Sequence, residues 1–261
     1  ELRIVPYVMS LERLQTAARY LDEAQLDLLC EMADAFGWQV EVYKNPKSDL
    51  IRDGFGDSLL NRLRLHHATS EEKFNKTSFE FAFKTASRFA GRRAEKTLEH
   101  TFQGADVVVE DVRWSLKTEG AARMSQSNIT ISKFSEARWI RDCVTPEDFA
   151  REATARMSKH LSEYDRVLTL RSSYVQNKEA VRYDLVEIPH DMLMAATKLT
   201  AADFSPLTKK GSTSAWVMFE GKQAFTVILD GSVEKITLRN ISVGQCVTHA
   251  RWIVPVLPQD D

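Results

Sequence analysis

Gly104-Ala105-Asp106-Val107-Val108-Val109-Glu110-Asp111-Val112-Arg113-Trp114-Ser115-Leu116-Lys117 is the stretch that decides the architecture. Val107 to Val109 and Val112 to Leu116 are β-favouring runs, and Glu110-Asp111 between them has the length of a tight hairpin turn. With that turn, Val109 pairs with Val112 and Asp106 lies opposite Ser115. Side chains alternate along a strand, so Asp106, Val108, Arg113, Ser115 and Lys117 share one face. The other face carries Val107, Val109, Val112, Trp114 and Leu116 and no polar group. A carboxylate, a hydroxyl and an ammonium are thus grouped on a sheet with an apolar back, the residue set of a metal-and-lysine site.

Upstream of the hairpin, Thr77 to about Ala90 predicts a helix with Phe79, Ala82, Phe83, Ala86 and Ala90 as its buried stripe and Lys84, Arg88, Arg92 and Arg93 making one flank and the end basic. Earlier still, residues 10–36 carry Leu11, Leu14, Ala18, Leu21, Leu28 and Met32 at helical spacing, with Gly37 as a stop. A short strand over Trp38 to Tyr43 and a short helix over Leu59 to Leu65 follow. Downstream, a polar loop covers Thr118 to Asn128 and a helix is expected from Ile129 to Arg141. Thr145-Pro146-Glu147 opens another helix, with Thr as N-cap and Pro at the first helical position. Arg166–Ser172 and Ala180–Ile188 read as strands, and the remainder is β-rich, with short strands at 215–219, 224–229, 235–238 and 249–256. The expected class is α/β, a mixed β-sheet flanked by helices. A helical N-terminal region spans 1–74, a core 75–190 and a β-rich C-terminal region 191–261, packed as one globular unit.

Composition narrows the class of protein. With 43% hydrophobic and 28% charged residues, the 261-residue chain resembles an ordinary globular protein with a sizeable core. No apolar run reaches the length needed to cross a bilayer and no signal-peptide pattern opens the sequence, so a cytoplasmic, reducing setting is expected. Three cysteines, Cys30, Cys143 and Cys246, are far apart and odd in number, against a disulfide framework or a cysteine-rich zinc site. A net charge of −2 neither supports nor excludes nucleic acid, because a site needing several carboxylates cancels a basic excess. His66-His67 looks like a metal pair, but adjacent residues diverge on any regular element, and a structural role is expected.

Hydrolysing a phosphodiester with a metal requires oxygen ligands for Mg²⁺, an activated water and a positive group near the scissile phosphate. Asp106 is the natural first ligand, and Lys117 could orient water and neutralise developing charge. On these residues the chain resembles the PD-(D/E)xK nuclease superfamily, and type II restriction endonucleases within it. Gly104-Ala105-Asp106 stands for the Pro-Asp of that pattern, and Ser115-Leu116-Lys117 for its acidic-x-Lys triplet. The resemblance covers roughly residues 77–188 and implies a restriction-endonuclease-like core. It also implies Mg²⁺-dependent hydrolysis of double-stranded DNA at a specific sequence, leaving a 5′-phosphate.

The departure is Ser115, where an acid is usual. Some restriction enzymes with Ser-x-Lys recover the carboxylate from a later helix, which makes Glu136 the favoured second ligand. On the expected helix its neighbours at minus seven, plus three and plus four are Ile129, Trp139 and Ile140, and an acid on an apolar stripe is costly unless paired or metal-bound. Glu80 on the leading helix is a further candidate, though Lys84 four residues on could simply pair with it.

DNA contacts are expected from three loops: Arg123, Ser125, Gln126 and Asn128 after the second hairpin strand; Arg171, Gln176, Asn177 and Lys178 between the next two strands; and Lys209-Lys210 in a basic loop. Cleaving both strands of a palindrome is simplest for a homodimer, with the first helix or the β-rich C-terminal part as its surface. No organic cofactor and no membrane partner are expected. The rivals are a repair or junction-resolving nuclease of the same superfamily, or a DNA-binding or assembly protein that kept the fold without catalysis.

Overall fold

The structure is a computed structural model and describes residues 11–97 and 104–256. The predicted hairpin is present as β3 (Val107–Val109) and β4 (Val112–Glu119), with Val107 opposite Trp114 and Val109 opposite Val112. Glu110 takes φ 54, the left-handed conformation that lets a two-residue turn match the strand twist. The strands sit in a seven-stranded sheet whose other members are β1 (Glu41–Lys44), β2 (Ala94–Lys96), β6 (Arg166–Val175), β7 (Ala180–Ile188) and β11 (Val247–Pro255). Their order is β1-β11-β7-β6-β4-β3-β2, and β4 with β6 is a parallel pair that sets Lys117 beside Thr169 and Glu119 beside Arg171.

One face of this sheet is apolar, as the hairpin pattern requires. Trp114, Leu116, Leu168, Leu170, Tyr183, Leu185 and Trp252 pack there against α3 (Phe55–His67) and α4 (Lys76–Phe89). Phe79 and Phe83 of α4 are fully buried, each contributing about 1.5–3 kcal/mol by removal from water. Phe83 stands 5.1 Å from the Trp114 ring. This contact docks α4 on the hairpin and brings the helix N-terminus to Asp106.

The opposite face meets α5 (Pro146–Leu161) and a second sheet of four strands, ordered β5-β10-β9-β8. These are β5 (Asn128–Glu136), β8 (Thr213–Phe219), β9 (Lys222–Asp230) and β10 (Lys235–Ser242), with the short α6 (His190–Met194) beside them. The larger sheet draws strands from every part of the chain. The fold is α/β with a mixed sheet, a helical N-terminus and a β-rich C-terminal part.

Two expectations are corrected. The helix over 10–36 is divided into α1 (Leu11–Ala18) and α2 (Glu23–Gly37), because Asp22 and Gln25 form a capping box that starts a new helix. The segment expected as a helix over 129–141 is strand β5 followed by a 3-10 turn at Arg138–Asp142. Its β-branched Ile129-Thr130-Ile131 run favours strand, and irregular pairing with β10 shifts the register between Ile131 and Ser135. The buried positions Ile129, Ile131 and Phe134 are therefore spaced by two and then three residues, which mimics a helical stripe.

Candidate active site

Asp106 is fixed by its own hairpin. Its backbone N–H donates to the Trp114 carbonyl at 2.8 Å, and its Oδ2 accepts the Leu116 N–H at 2.6 Å. The other oxygen, Oδ1, accepts from Lys76 Nζ at 2.8 Å. Lys76 is the first residue of α4, and its ammonium also lies 3.5 Å from Glu80 Oε1. Glu80 is buried one helical turn on, with its second oxygen 2.8 Å from Lys96 Nζ. Lys84, the partner expected for Glu80, instead approaches the Phe81 ring. One ammonium therefore bridges carboxylates from the hairpin and the leading helix.

Lys117 completes this group. Burial drives its pKa down, opposed by the nearby Asp106 and aided by Lys76, with Glu80 a weaker upward influence. Burial also works against the charge on Lys76, but Asp106 and Glu80 outweigh it and the net shift is upward. Lys76 is held as a cation between two carboxylates, while Lys117 gives up its proton more easily than an exposed lysine. Ser115 Oγ is fully buried on the same face, without a hydrogen-bond partner among the described residues.

The remaining candidates separate by place. Glu136 is at the exposed end of β5 in the second sheet, 2.7 Å from Lys133, whose hydrogen bond lowers its pKa. The charges that act on it are Lys133, Lys235 and Arg138, and neither Asp106 nor Lys117 is among them. The strand in place of the expected helix removes the apolar stripe that made Glu136 attractive as a ligand. Arg171 is not free to read a base. Its guanidinium is buried, donates to Glu119 Oε2 at 2.7 Å and to the Asn128 carbonyl at 2.9 Å, and also bonds the Ser125 carbonyl. Glu119 in turn accepts the Thr130 N–H at 2.9 Å, so both ends of the loop after β4 are tied to one ion pair.

That loop exposes Arg123, Ser125 and Gln126, with Asn128 partly covered at the start of β5. Gln176–Lys178 form the tight turn between β6 and β7, with Asn177 and Lys178 exposed at positive φ. Both loops follow the C-terminal ends of the parallel strands β4 and β6, the end towards which Lys117 lies. Lys209 and Lys210 are exposed in a loop leading into β8 of the second sheet.

Sequence reasoning missed Lys76, the cation between the two carboxylates. Its i, i+4 spacing to Glu80 was the available signal. It also missed Asp49, Glu187 and His249, whose ligand atoms all lie within 4.8 Å of one another. Arg166 forks across Asp49 and Glu187 there, and His249 donates to Glu187 and bonds Ser48. That guanidinium already pairs with both carboxylates, and Glu187 stands beside Leu168 on the sheet face opposite Lys117. His67 is a buried structural group, bonded to Tyr183 Oη at 2.8 Å and the Ser70 carbonyl at 3.0 Å.

Comparison with known proteins agrees with a nuclease. A family profile described as SmaI, type II site-specific deoxyribonuclease, matches residues 14–254. The type II restriction enzyme SmaI of Serratia marcescens is 28% identical over 238 residues, which is 89% of this chain and 92% of that protein. No solved structure matches the chain.

Proposed function

This chain belongs to the SmaI family of type II site-specific deoxyribonucleases, restriction endonucleases that act on double-stranded DNA, and we propose that it cuts at the cleft formed by Asp106, Glu80 and Lys117 with Mg²⁺ as cofactor. The observation that carries this reading is the Lys76 ammonium, 2.8 Å from Asp106 and 3.5 Å from Glu80. It marks a place where two carboxylates from different elements already hold one positive charge. Oxygen donors with few protein ligands suit Mg²⁺, which keeps much of its water and takes the rest of its shell from phosphate.

Asp106 and Glu80 would hold the ion, in place of the Glu136 first favoured. Bound there, Mg²⁺ supplies charge stabilisation at the phosphate and lowers the pKa of water. The chain's own residues do the rest. The Leu116 N–H fixes the Asp106 carboxylate so that one oxygen faces the cleft. Lys117 donates to the negative charge that grows on the phosphate oxygens, and its buried setting strengthens that interaction. Ser115 lines the site without acting as a ligand. The loops at 120–127 and 176–178, with Arg123, Ser125, Gln126, Asn177 and Lys178, and Asn128 at the start of β5 would meet the DNA, and Lys209 and Lys210 would add phosphate contacts.

A homodimer is part of this reading, and the N-terminal helices support it. Within α1 and α2 only Ala35 is buried, while Leu11 is 68% exposed and Leu14, Leu28 and Phe36 each more than 40%. Such amphipathic helices would find an apolar partner in a second copy, and a two-fold dimer is the simplest way to cleave both strands of a palindrome. Sedimentation should give twice the monomer mass, and a Leu11→Ser/Leu14→Ser/Leu28→Ser variant should shift to monomer.

The decisive experiment is cleavage of a supercoiled plasmid library with purified protein and Mg²⁺. Discrete fragments with defined ends are expected, lost in Asp106→Ala, Lys117→Ala and Glu80→Gln and absent in EDTA. Equal cutting by wild type and Asp106→Ala would overturn the site assignment.

A further inference from the structure

Four buried polar atoms on one face of the larger sheet have no hydrogen-bond partner among the described residues: Ser115 Oγ, Thr169 Oγ1, His160 Nε2 and Tyr164 Oη. Their grouping follows from the fold. Ser115 lies two residues before Lys117 on β4, and Thr169 is directly beside Lys117 on the parallel strand β6. His160 is in the last turn of α5, which packs over that face, Tyr164 lies three residues past the helix end, and their rings are 5.3 Å apart. Phe134 covers the His160 ring edge-to-face at 4.8 Å. Both groups feel the hairpin site: the charge of Asp106 acts on each, and that of Lys117 on His160.

Leaving a hydroxyl or ring nitrogen unpaired in the interior costs about 1–3 kcal/mol each. Native proteins pair such groups with another side chain, the backbone or an ordered water. Ser115 and Thr169 flank Lys117, His160 feels its charge, and Tyr164 stands ring to ring with His160; packing does not require so many unpaired atoms in one place. Phenylalanine would fill the Tyr164 site and valine the Thr169 site, with less desolvation. The four groups together can supply the two to four hydrogen bonds that an internal water needs.

We propose that His160 and Tyr164 are positioning residues for cleavage, holding, with the hydroxyls of Ser115 and Thr169, a buried water that fixes the Lys117 ammonium against the scissile phosphate. The inference rests on the assignment of Lys117 to the reaction. His160 and Tyr164 act through Lys117 and not on the DNA, so their loss should lower the rate of the chemical step and leave DNA affinity unchanged.

The test uses the full chain and a duplex containing its cleavage site, with binding measured in Ca²⁺ and single-turnover cleavage in Mg²⁺. Tyr164→Phe removes only the orphaned oxygen, so it should fold with an unchanged or higher melting temperature while cleaving at least tenfold more slowly. His160→Leu should lose a similar factor, and His160→Gln, which keeps a hydrogen-bonding group near Nε2, should recover part of it. A purely structural role predicts the reverse, a lower melting temperature with the rate preserved. If Lys117→Ala abolishes cleavage while Tyr164→Phe and His160→Leu cut within twofold of wild type, this inference is wrong and the site assignment stands. If Lys117→Ala itself cuts normally, the site assignment falls first.

Discussion

Arg171 and Glu119 form a buried ion pair, with Nε 2.7 Å from Oε2, that ties both ends of the loop between β4 and β5. Sequence position alone made Arg171 a base reader, but its donors are spent on Glu119 and on the Ser125, Gln126 and Asn128 carbonyls. Removing one partner from such a pair strands the other charge in the interior, at about 3–5 kcal/mol. Arg171→Met should therefore lower stability by about that amount in urea unfolding. The Glu119→Leu/Arg171→Met double variant should recover much of it. Both should blur the choice of cleavage sequence, because the loop carrying Arg123 and Gln126 loses its anchor. Unchanged stability in Arg171→Met would show that the pair is not held as described.

Lys76 stands where the proposed Mg²⁺ would bind, so cation and ammonium compete for the same oxygens. Lys76→Met removes the competitor and leaves Asp106 held by the Leu116 N–H and Glu80 by Lys96. The expected result is a larger Mg²⁺-induced rise in melting temperature than in wild type, since a ligand bound only to the folded state stabilises in proportion to its affinity. An equal or smaller rise would place the metal elsewhere.

How much of this could be read from the chain depended on the range of the interaction. The hairpin was legible because alternation and turn length are local: Val109 does pair with Val112, and the apolar face of Trp114 and Leu116 does pack on Phe83. The α4 stripe and the Thr145 cap were equally local, and Asp148 completes that cap as a capping box. Bulged β5 was not legible, because Ile129, Ile131 and Phe134 keep no strict period once its register with β10 shifts. Lys76 left only its i, i+4 spacing to Glu80 as a signal, and His160 and Tyr164 left none, since they reach the hairpin side of the sheet only through tertiary packing that no local pattern encodes.

Glu136 follows from that misread segment. It is exposed on β5 and pairs with Lys133 at the surface, where solvent screens the interaction. Glu136→Ala should cleave within twofold of wild type and melt within a degree or two of it. A hundredfold loss of cleavage would restore Glu136 as a ligand and require β5 to rearrange on binding DNA.

His67 gives the fold a pH dependence of calculable sign. Burial beside Tyr183 pushes its pKa down to about 4, from about 6.5 in an unfolded chain, and its bond to the Ser70 carbonyl only partly offsets this. Below pH 6.5 the unfolded chain takes up a proton that the folded chain refuses. Stability is therefore complete above that pH and falls as pH drops towards 4, by about 3 kcal/mol for a shift of this size. His160, also held near 4 by burial and by Lys117, adds a loss of the same sign. Urea unfolding between pH 7 and 4 should show a steeper fall for wild type than for His67→Gln. The variant will be less stable at pH 7, because Tyr183 Oη loses the ring nitrogen it bonds, but its curve should be flatter. Parallel curves would mean that His67 is protonated in the folded protein, and would place a carboxylate or solvent path beside it that the packing of α3 does not contain.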